Sequence, residues 1–185
     1  MKASDLFVKC LETEGVTKIF GIPGEENADL MISLKQSKIE FVLCRHEQAA
    51  AFMADVYGRL TGKAGVCLAT LGPGVTNLMT GLADANMDRA PVVAIIGQGS
   101  TERLHKESHQ IMDSISMVAP ISKWAQTILS AKNVTEVVRK AFKVAETEKP
   151  GVTVIELPED VAKEEVNENP IKPSLIRRPA ADNRA

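Results

Sequence analysis

Apolar residues along the chain alternate between helical spacing and short runs that are apolar throughout. Helical spacing predicts a first helix over Ser4–Glu14, which ends at Gly15. The apolar runs predict strands near 18–20, 39–44, 64–71, 91–97 and 151–157. Between them, the spacing predicts helices near 25–35, 46–60, 75–87 and from 133 onward.

The apolar runs also predict the fold class. A strand that is apolar throughout is buried on both faces, which is typical of parallel sheets covered by helices. Strands of this kind, separated by helices, predict an α/β fold. We expect a three-layer α/β/α arrangement with a parallel sheet of about six strands, of the flavodoxin-like or Rossmann-like type.

The composition changes after Pro158, where proline and polar residues become frequent. Asn167–Pro170, Pro173 and Pro179 are typical of an extended connector. We therefore predict one domain over residues 1–166 and a linker over 167–185. A linker implies a further domain, so we expect this chain to be the first part of a longer protein.

Composition and charge narrow the classes of partner. The chain has 185 residues, a formal net charge of −2 and 4% aromatic residues, so we expect no nucleic-acid partner. The longest apolar run, Ala90–Gly97, is far shorter than the roughly 20 residues that cross a bilayer. The N-terminus lacks the apolar core of a signal peptide, and three distant cysteines indicate buried thiols. We expect a soluble cytoplasmic protein without a membrane partner.

Three loops at the predicted carboxyl edge of the sheet, where ligands of α/β proteins bind, carry unusual residues. Gly21–Gly24 and Gly72–Gly74 each place glycines around a proline, which allows close approach of a flat ligand. Each segment alone is equally compatible with an ordinary strand-to-helix turn. Glu47 is either a first-turn carboxylate favoured by the helix dipole or a buried carboxylate for a ring nitrogen, and position alone leaves both open.

Two histidines have the spacing of a zinc helix. His105 and His109 stand four residues apart, but the glutamate is not next to the first histidine as in H-E-x-x-H, and no third ligand is in view. A nucleophile elbow, a P-loop and a G-x-G-x-x-G fingerprint are also missing from the sequence. We predict no metal site within this chain.

Five segments in fixed order give the chain a family resemblance. It resembles the N-terminal pyrimidine-binding domain of thiamine-diphosphate-dependent enzymes, and most closely the acetolactate synthase large-subunit group, over about residues 2–166. The matching segments are Ile19–Gly24, Arg45–Ala50, Thr61–Val66, Gly72–Asn77 and Pro91–Gly97. The ordered set is specific to the superfamily and less specific to acetolactate synthase.

The resemblance implies an activity and a role for Glu47. A glutamate at this position contacts N1′ of the aminopyrimidine, and the shared proton favours the tautomer that removes the C2 proton of the thiazolium. The implied enzyme decarboxylates pyruvate and joins the two-carbon unit to a second 2-oxo acid. Gln110 matches a glutamine beside the reacting centre. The implied cofactor-binding positions are Gly21, Pro23, Gly24, Glu47, Gly72, Gly74 and Asn77.

The resemblance also implies partners and further cofactors. Mg²⁺ and the diphosphate would bind a C-terminal domain through a Gly-Asp-Gly segment that this chain lacks, so the fragment is expected to be inactive alone. Lys149 stands where biosynthetic enzymes use an arginine for FAD, so FAD is possible but doubtful. We expect a homodimer or dimer of dimers with the cofactor between subunits, through helices whose apolar residues include Met53, Leu78 and Leu82.

Departures from the family pattern leave the substrate open. His109 replaces the phenylalanine common in biosynthetic enzymes and matches the catabolic type, while Glu159 stands where those enzymes usually carry lysine. One alternative is another thiamine-diphosphate-dependent 2-oxo acid decarboxylase, lyase or acetyltransferase. A second alternative is a flavodoxin-like module without catalysis.

Overall fold

The computed structural model describes residues 1–173 and confirms the predicted α/β class. In chain order the strands are β1 (Lys18–Gly21), β2 (Glu40–Leu43), β3 (Gly65–Ala69), β4 (Val92–Gln98), β5 (Trp124–Thr127) and β6 (Val152–Pro158). They form one six-stranded sheet in the order β2-β1-β3-β4-β6-β5, and all neighbouring strands are parallel.

Helices cover both faces of this sheet. They are α1 (Ala3–Thr13), α2 (Ala28–Lys35), α3 (Glu47–Thr61), α4 (Pro73–Met87), α5 (Ser114–Val118), α6 (Val134–Glu146) and α7 (Glu159–Lys163). Because side chains alternate along a strand, β4 sends Val93 and Ile95 to one core and Ala94 and Ile96 to the other. Helices α1, α2, α6 and α7 pack in the first core, and α3, α4 and α5 in the second, which confirms the three layers.

β5 is the strand that the apolar pattern did not predict. Its residues are half-buried or exposed because it lies at the edge of the sheet, beyond β6. An edge strand lacks neighbours on one side, so it does not need to be apolar throughout. The helix predicted from residue 25 also differs, since Glu25–Asn27 form a 3-10 turn before α2.

Helix α3 lies unusually close to β3 and α4 because glycines face it. A Cβ at Gly65 would lie 2.0 Å from the carbonyl oxygen of Ala54, and one at Gly81 would lie 2.6 Å from the Cβ of Ala51. These distances leave no room for a side chain at either glycine. The close packing holds α3, and with it Glu47 at its first position, against α4.

Part of the apolar surface expected at a subunit interface is instead core. Leu78 and Leu82 of α4 are fully buried within the chain, so they cannot contact a second subunit. Met53, Val56 and Leu60 of α3 are 43%, 50% and 81% exposed. Their spacing of three and four residues places them along one side of the helix.

The end of the described chain returns to its beginning. Val166 packs in the first core, and its N–H donates to the carbonyl oxygen of Met1 at 2.9 Å. Of the predicted linker, residues 174–185 lie outside the described part of the chain. Within residues 1–173, no helix combines the length and the apolarity that crossing a membrane requires.

We expect the cysteine thiols to be unreactive in the folded protein. Cys10 and Cys67 are almost fully buried, and burial raises the pKa of each thiol to about 12. Because the thiolate is the reactive form, Ellman's reagent should not modify either at neutral pH, whereas urea-unfolded chain should react at all three cysteines. Rapid labelling of Cys10 or Cys67 without urea would contradict their burial.

Candidate functional site

The carboxyl ends of β1, β2 and β3 bring the three predicted loops to one edge of the sheet. Glu47 is the first residue of α3, as its position after β2 predicted. His46 caps this helix, because its Nδ1 accepts the N–H of Gln48 at 3.2 Å. The cap orients the helix so that its N-terminus, which favours negative charge, carries the Glu47 carboxylate.

Glu47 is not an exposed helix-end carboxylate. Only 8% of the residue is exposed, and its Oε2 accepts a hydrogen bond from the Nδ2 of Asn77 at 2.9 Å. Asn77 lies on α4, so the bond links α3, which follows β2, to α4, which follows β3. Within residues 1–173 the other oxygen, Oε1, has no hydrogen-bond partner. A buried, oriented carboxylate with one free oxygen can accept a hydrogen bond from a ligand.

Two of the predicted glycines meet at the side chain of Thr70. A Cβ at Gly24 would lie 2.3 Å from the Oγ1 of Thr70, and one at Gly74 would lie 3.2 Å from its Cγ2. The same Cβ at Gly74 would be 3.6 Å from the Oε1 of Glu47. Gly24 therefore packs directly against Thr70, and the missing side chain of Gly74 leaves space beside the free carboxylate oxygen.

The other predicted glycines act mainly in packing. A Cβ at Gly21 would lie 2.3 Å from the carbonyl oxygen of Leu68, so this glycine lets β1 approach β3. Gly72 has a φ of 59°, in the left-handed region that favours glycine. Pro23 is exposed, between Gly21 and the 3-10 turn.

Gln110 lies at the same edge as the glycines. A Cβ at Gly72 would be 2.8 Å from both the Cβ and the carbonyl oxygen of Gln110, so the two segments touch. Gln110 is exposed, as is its neighbour His109. The structure thus brings Gln110 to the loop after β3, although they stand far apart in sequence.

The two histidines do not form a metal site. His105 and His109 lie in turns rather than on a helix, so their spacing does not place them on one face. In the described part of the chain, no group of three metal-ligating side chains comes together.

Three residues of this edge were missed by sequence reasoning. The Oγ1 of Thr70 donates to the Oε2 of Glu26 at 3.0 Å, which places a second carboxylate near the glycine loops. Asn27 is 2% exposed, and its Oδ1 has no hydrogen-bond partner among residues 1–173. The only sequence signal was the polar run Glu25–Asn27 directly after Gly24, which the pattern assigned to a helix start.

Comparisons with known proteins decide the family. Residues 1–117 match the family model described as "Thiamine pyrophosphate enzyme, N-terminal TPP binding domain". Thiamine pyrophosphate is another name for thiamine diphosphate. The chain belongs to this family. The resemblance stated from the five sequence segments is therefore confirmed, together with the cofactor that it implied.

Similar proteins are named as acetolactate synthases. The chain is 44% identical over 158 residues to the catabolic acetolactate synthase of Raoultella terrigena, covering 85% of this chain and 28% of that protein. It is 39% identical over 184 residues to the acetolactate synthase of Bacillus subtilis (strain 168), covering 98% and 32%. A chloroplastic acetolactate synthase of Nicotiana tabacum is 40% identical over 161 residues, covering 86% and 24%. The chain thus spans about a third or less of these relatives.

The described residues fit the pyrimidine part of thiamine diphosphate. A ring nitrogen that carries a proton needs an acceptor, and the Oε1 of the largely buried Glu47 accepts no hydrogen bond from residues 1–173. A flat ring needs space without side chains, and Gly74 carries none beside the Oε1 of Glu47. Direct cofactor contacts of the named site residues stay predictions.

Proposed function

We propose that this chain supplies the pyrimidine-binding half of a cofactor site in an acetolactate-synthase-like carboligase. The whole enzyme would decarboxylate pyruvate and join the two-carbon unit to a second 2-oxo acid. The observation that carries the proposal is the buried Glu47 carboxylate, held by Asn77 with one oxygen left free. The names of the similar proteins support the reaction class.

Glu47 would act on the proton of the pyrimidine ring. When bound, thiamine diphosphate supplies a carbon nucleophile and then holds the electron pair that carbon dioxide leaves behind. The Glu47 carboxylate would accept the hydrogen bond of the ring nitrogen and hold a proton there. Asn77 would keep the carboxylate in this orientation, since its Nδ2 occupies the other oxygen.

We also propose where Mg²⁺ would bind, whether FAD is needed and in which compartment the protein lies. Mg²⁺ and the diphosphate would bind a C-terminal domain of the longer protein, through the Gly-Asp-Gly segment that the family resemblance implies and that this sequence lacks. We propose that FAD is dispensable, since Lys149 lacks the planar fork of arginine. Three free thiols accord with a reducing compartment, so we propose the cytoplasm.

The activity is tested with the full-length protein. Purified enzyme supplied with thiamine diphosphate, Mg²⁺ and pyruvate, without FAD, should release carbon dioxide and form acetolactate, detected as acetoin after acid treatment. Release of carbon dioxide with acetaldehyde as the product would contradict carboligation and favour a decarboxylase. No thiamine diphosphate binding and no turnover would favour the non-catalytic module.

We propose that the exposed side of α3 joins two copies of the chain in a homodimer, or in each half of a dimer of dimers. Met53, Val56 and Leu60 give this side an apolar stripe, and the nearby Leu43 is 69% exposed. A stable interface buries on the order of 1,200 Å² or more, and such apolar stripes form its core.

A charge in the stripe should separate the subunits. We expect Val56→Glu to shift the full-length protein toward lower oligomers at tens of micromolar in sedimentation velocity, because a carboxylate would be buried without a partner. Leu129→Glu is the matched control, since Leu129 is also exposed, at 63%, but lies after β5. Equal effects of the two substitutions, or a monomeric wild-type protein, would exclude α3 as the interface.

A further inference from the structure

Gln110 is carried by an irregular segment that crosses the carboxyl edge of the sheet. This segment, residues 104–113, is called the strap here. At Gln110 it touches Gly72, before α4, and the Cδ1 of Ile111 lies 2.9 Å from where a Cβ of Gly99 would be. The strap therefore links the cofactor side of the edge to the end of β4.

The strap has little packed beneath it. A cavity of about 390 Å³ lies between the strap and the ends of the last three strands, where Gln98, Thr127 and Glu156 line it. Two strap residues, His105 and Gln110, have φ values of 65° and 56°, in the left-handed region that is unfavourable for residues with side chains. With a cavity on one side, such a segment relies on hydrogen bonds in addition to its contacts at Gly72 and Gly99.

The side chain of Gln98, at the end of β4, makes a hydrogen bond to the strap. Its Nε2 donates to the carbonyl oxygen of Met112 in the strap at 3.2 Å and to the Oε1 of Glu156 at 3.0 Å. Its Oε1 accepts the N–H of Gly99 at 3.0 Å. The amide is thereby fixed at both ends, and one of its donors holds the strap two residues beyond Gln110.

Glu156 orients this amide from below. The residue is 3% exposed, and its Oε2 accepts from the Oγ1 of Thr127 at 2.7 Å. Burial raises the pKa of Glu156, against hydrogen bonds from Thr127, Gln98 and Ser114 that lower it. Burying a carboxylate within a sheet costs free energy. Nothing in the proposed pyrimidine chemistry uses Glu156.

The upstream end of the strap is held separately. Arg103, just before the strap, donates through Nη1 to Glu159 at 3.2 Å and through Nε to Ser108 at 3.0 Å. The Arg103 guanidinium also lies near Ile111, since a Cβ at Gly99 would be 3.6 Å from the Cζ of Arg103. At the downstream end, Met112 also accepts the N–H of Ser114 at 2.9 Å, and Gln98 adds the bond that ties this end to the sheet.

We propose that Gln98 is a positioning residue for Gln110. Glu156 orients the Gln98 amide, and this amide holds the strap by the Met112 carbonyl so that Gln110 stays against Gly72. The part that concerns catalysis rests on the proposed function, in which Gln110 lies beside the reacting centre. The part that concerns the position of the strap does not.

The test compares four full-length proteins: wild type, Gln98→Leu, Glu156→Gln and Thr153→Val. Gln98→Leu removes the contact with Met112, whereas Glu156→Gln keeps an acceptor for Gln98. Thr153→Val is the control, because Thr153 is a buried residue of β6 whose hydroxyl donates to the carbonyl oxygen of Ala141, away from the strap. Hydrogen–deuterium exchange of residues 104–113 is measured beside kcat, KM and the dissociation constant of thiamine diphosphate.

In Gln98→Leu, we expect exchange in the strap to rise by about tenfold while exchange in β4 and β6 stays unchanged. The kcat should fall by about tenfold or more, with cofactor affinity within about threefold of wild type. Glu156→Gln and Thr153→Val should leave strap exchange near the wild-type value. If Gln98→Leu does not fold, Gln98→Asn, which is one methylene too short to reach both partners, should give the same local effect.

Unchanged strap exchange in Gln98→Leu or Gln98→Asn, or an equal rise in Thr153→Val, would overturn the proposal. If the proposed function is wrong, the experiment gives a result that differs from these two. A wild-type protein without acetolactate formation would remove the kcat comparison and leave the exchange measurement to decide the position of the strap.

Discussion

Glu47→Gln is expected to lower the turnover of the full-length enzyme by about 10²–10⁴-fold, the usual cost of losing one proton-transfer role. Glutamine keeps the size of the side chain and an oxygen for Asn77, but it has no charge to hold a proton on the pyrimidine ring nitrogen. The free energy of unfolding should change little, because the hydrogen bond between α3 and α4 can remain. Steady-state kinetics and urea denaturation of the same preparation measure both quantities.

Glu136→Gln is the matched control for this substitution. Glu136 also lies in the first turn of a helix, α6, but is exposed, so its loss removes only the helix-dipole interaction of about 0.3–1 kcal/mol. Turnover should stay near wild type in this variant. Equal turnover in Glu47→Gln and Glu136→Gln would show that Glu47 only interacts with the helix dipole and has no role in turnover.

Arg139→Met should destabilise the fold by about 3–5 kcal/mol, because it leaves a buried carboxylate without its partner. Nη1 of Arg139 in α6 lies 2.8 and 2.7 Å from the two carboxylate oxygens of Glu14, just after α1, and the two side chains are 11% and 6% exposed. Lys18→Met is the control, since Lys18 pairs with Glu40 on the surface, where such a loss costs about 0–1 kcal/mol. Urea denaturation of both variants measures the difference.

The loss of stability that Arg139→Met causes should be smaller at low pH. Burial already raises the pKa of Glu14 above its ordinary value, against the hydrogen bond and charge of Arg139, which lower it. Losing Arg139 raises this pKa further, and a raised carboxyl pKa means that stability falls as pH rises through the folded value. The variant should therefore lie closer to wild type at about pH 5 than at about pH 8. A loss of stability that is the same at both pH values would contradict an unpaired charge on Glu14.

Much of the fold could be predicted because its main signal is local. Strands β3, β4 and β6 are buried on both faces, so their sequences are apolar runs that stand out from the helices between them. Strand β5 could not be predicted in this way, because at the sheet edge Trp124–Thr127 need no apolar run. Glu47 could be placed because a residue directly after β2 begins the next helix.

The candidate site was harder to predict where it depends on contacts between distant segments. Glycines could be expected to line a ligand, but only the structure separates Gly74, which leaves space beside Glu47, from Gly21, which packs β1 on β3. Glu156 was visible as one charge in an apolar run, yet its partner Gln98 stands in another strand. No local pattern pairs residues across a sheet.

The central claim, that Glu47 acts on the pyrimidine of bound thiamine diphosphate, is tested most directly by proton exchange at C2 of the cofactor. The exchange is followed by NMR in the full-length protein, for wild type and Glu47→Gln, after acid quenching in deuterated buffer. We expect the substitution to slow exchange by about 100-fold or more. Exchange within about twofold of wild type, a barrier change under ~0.4 kcal/mol, would contradict the claim.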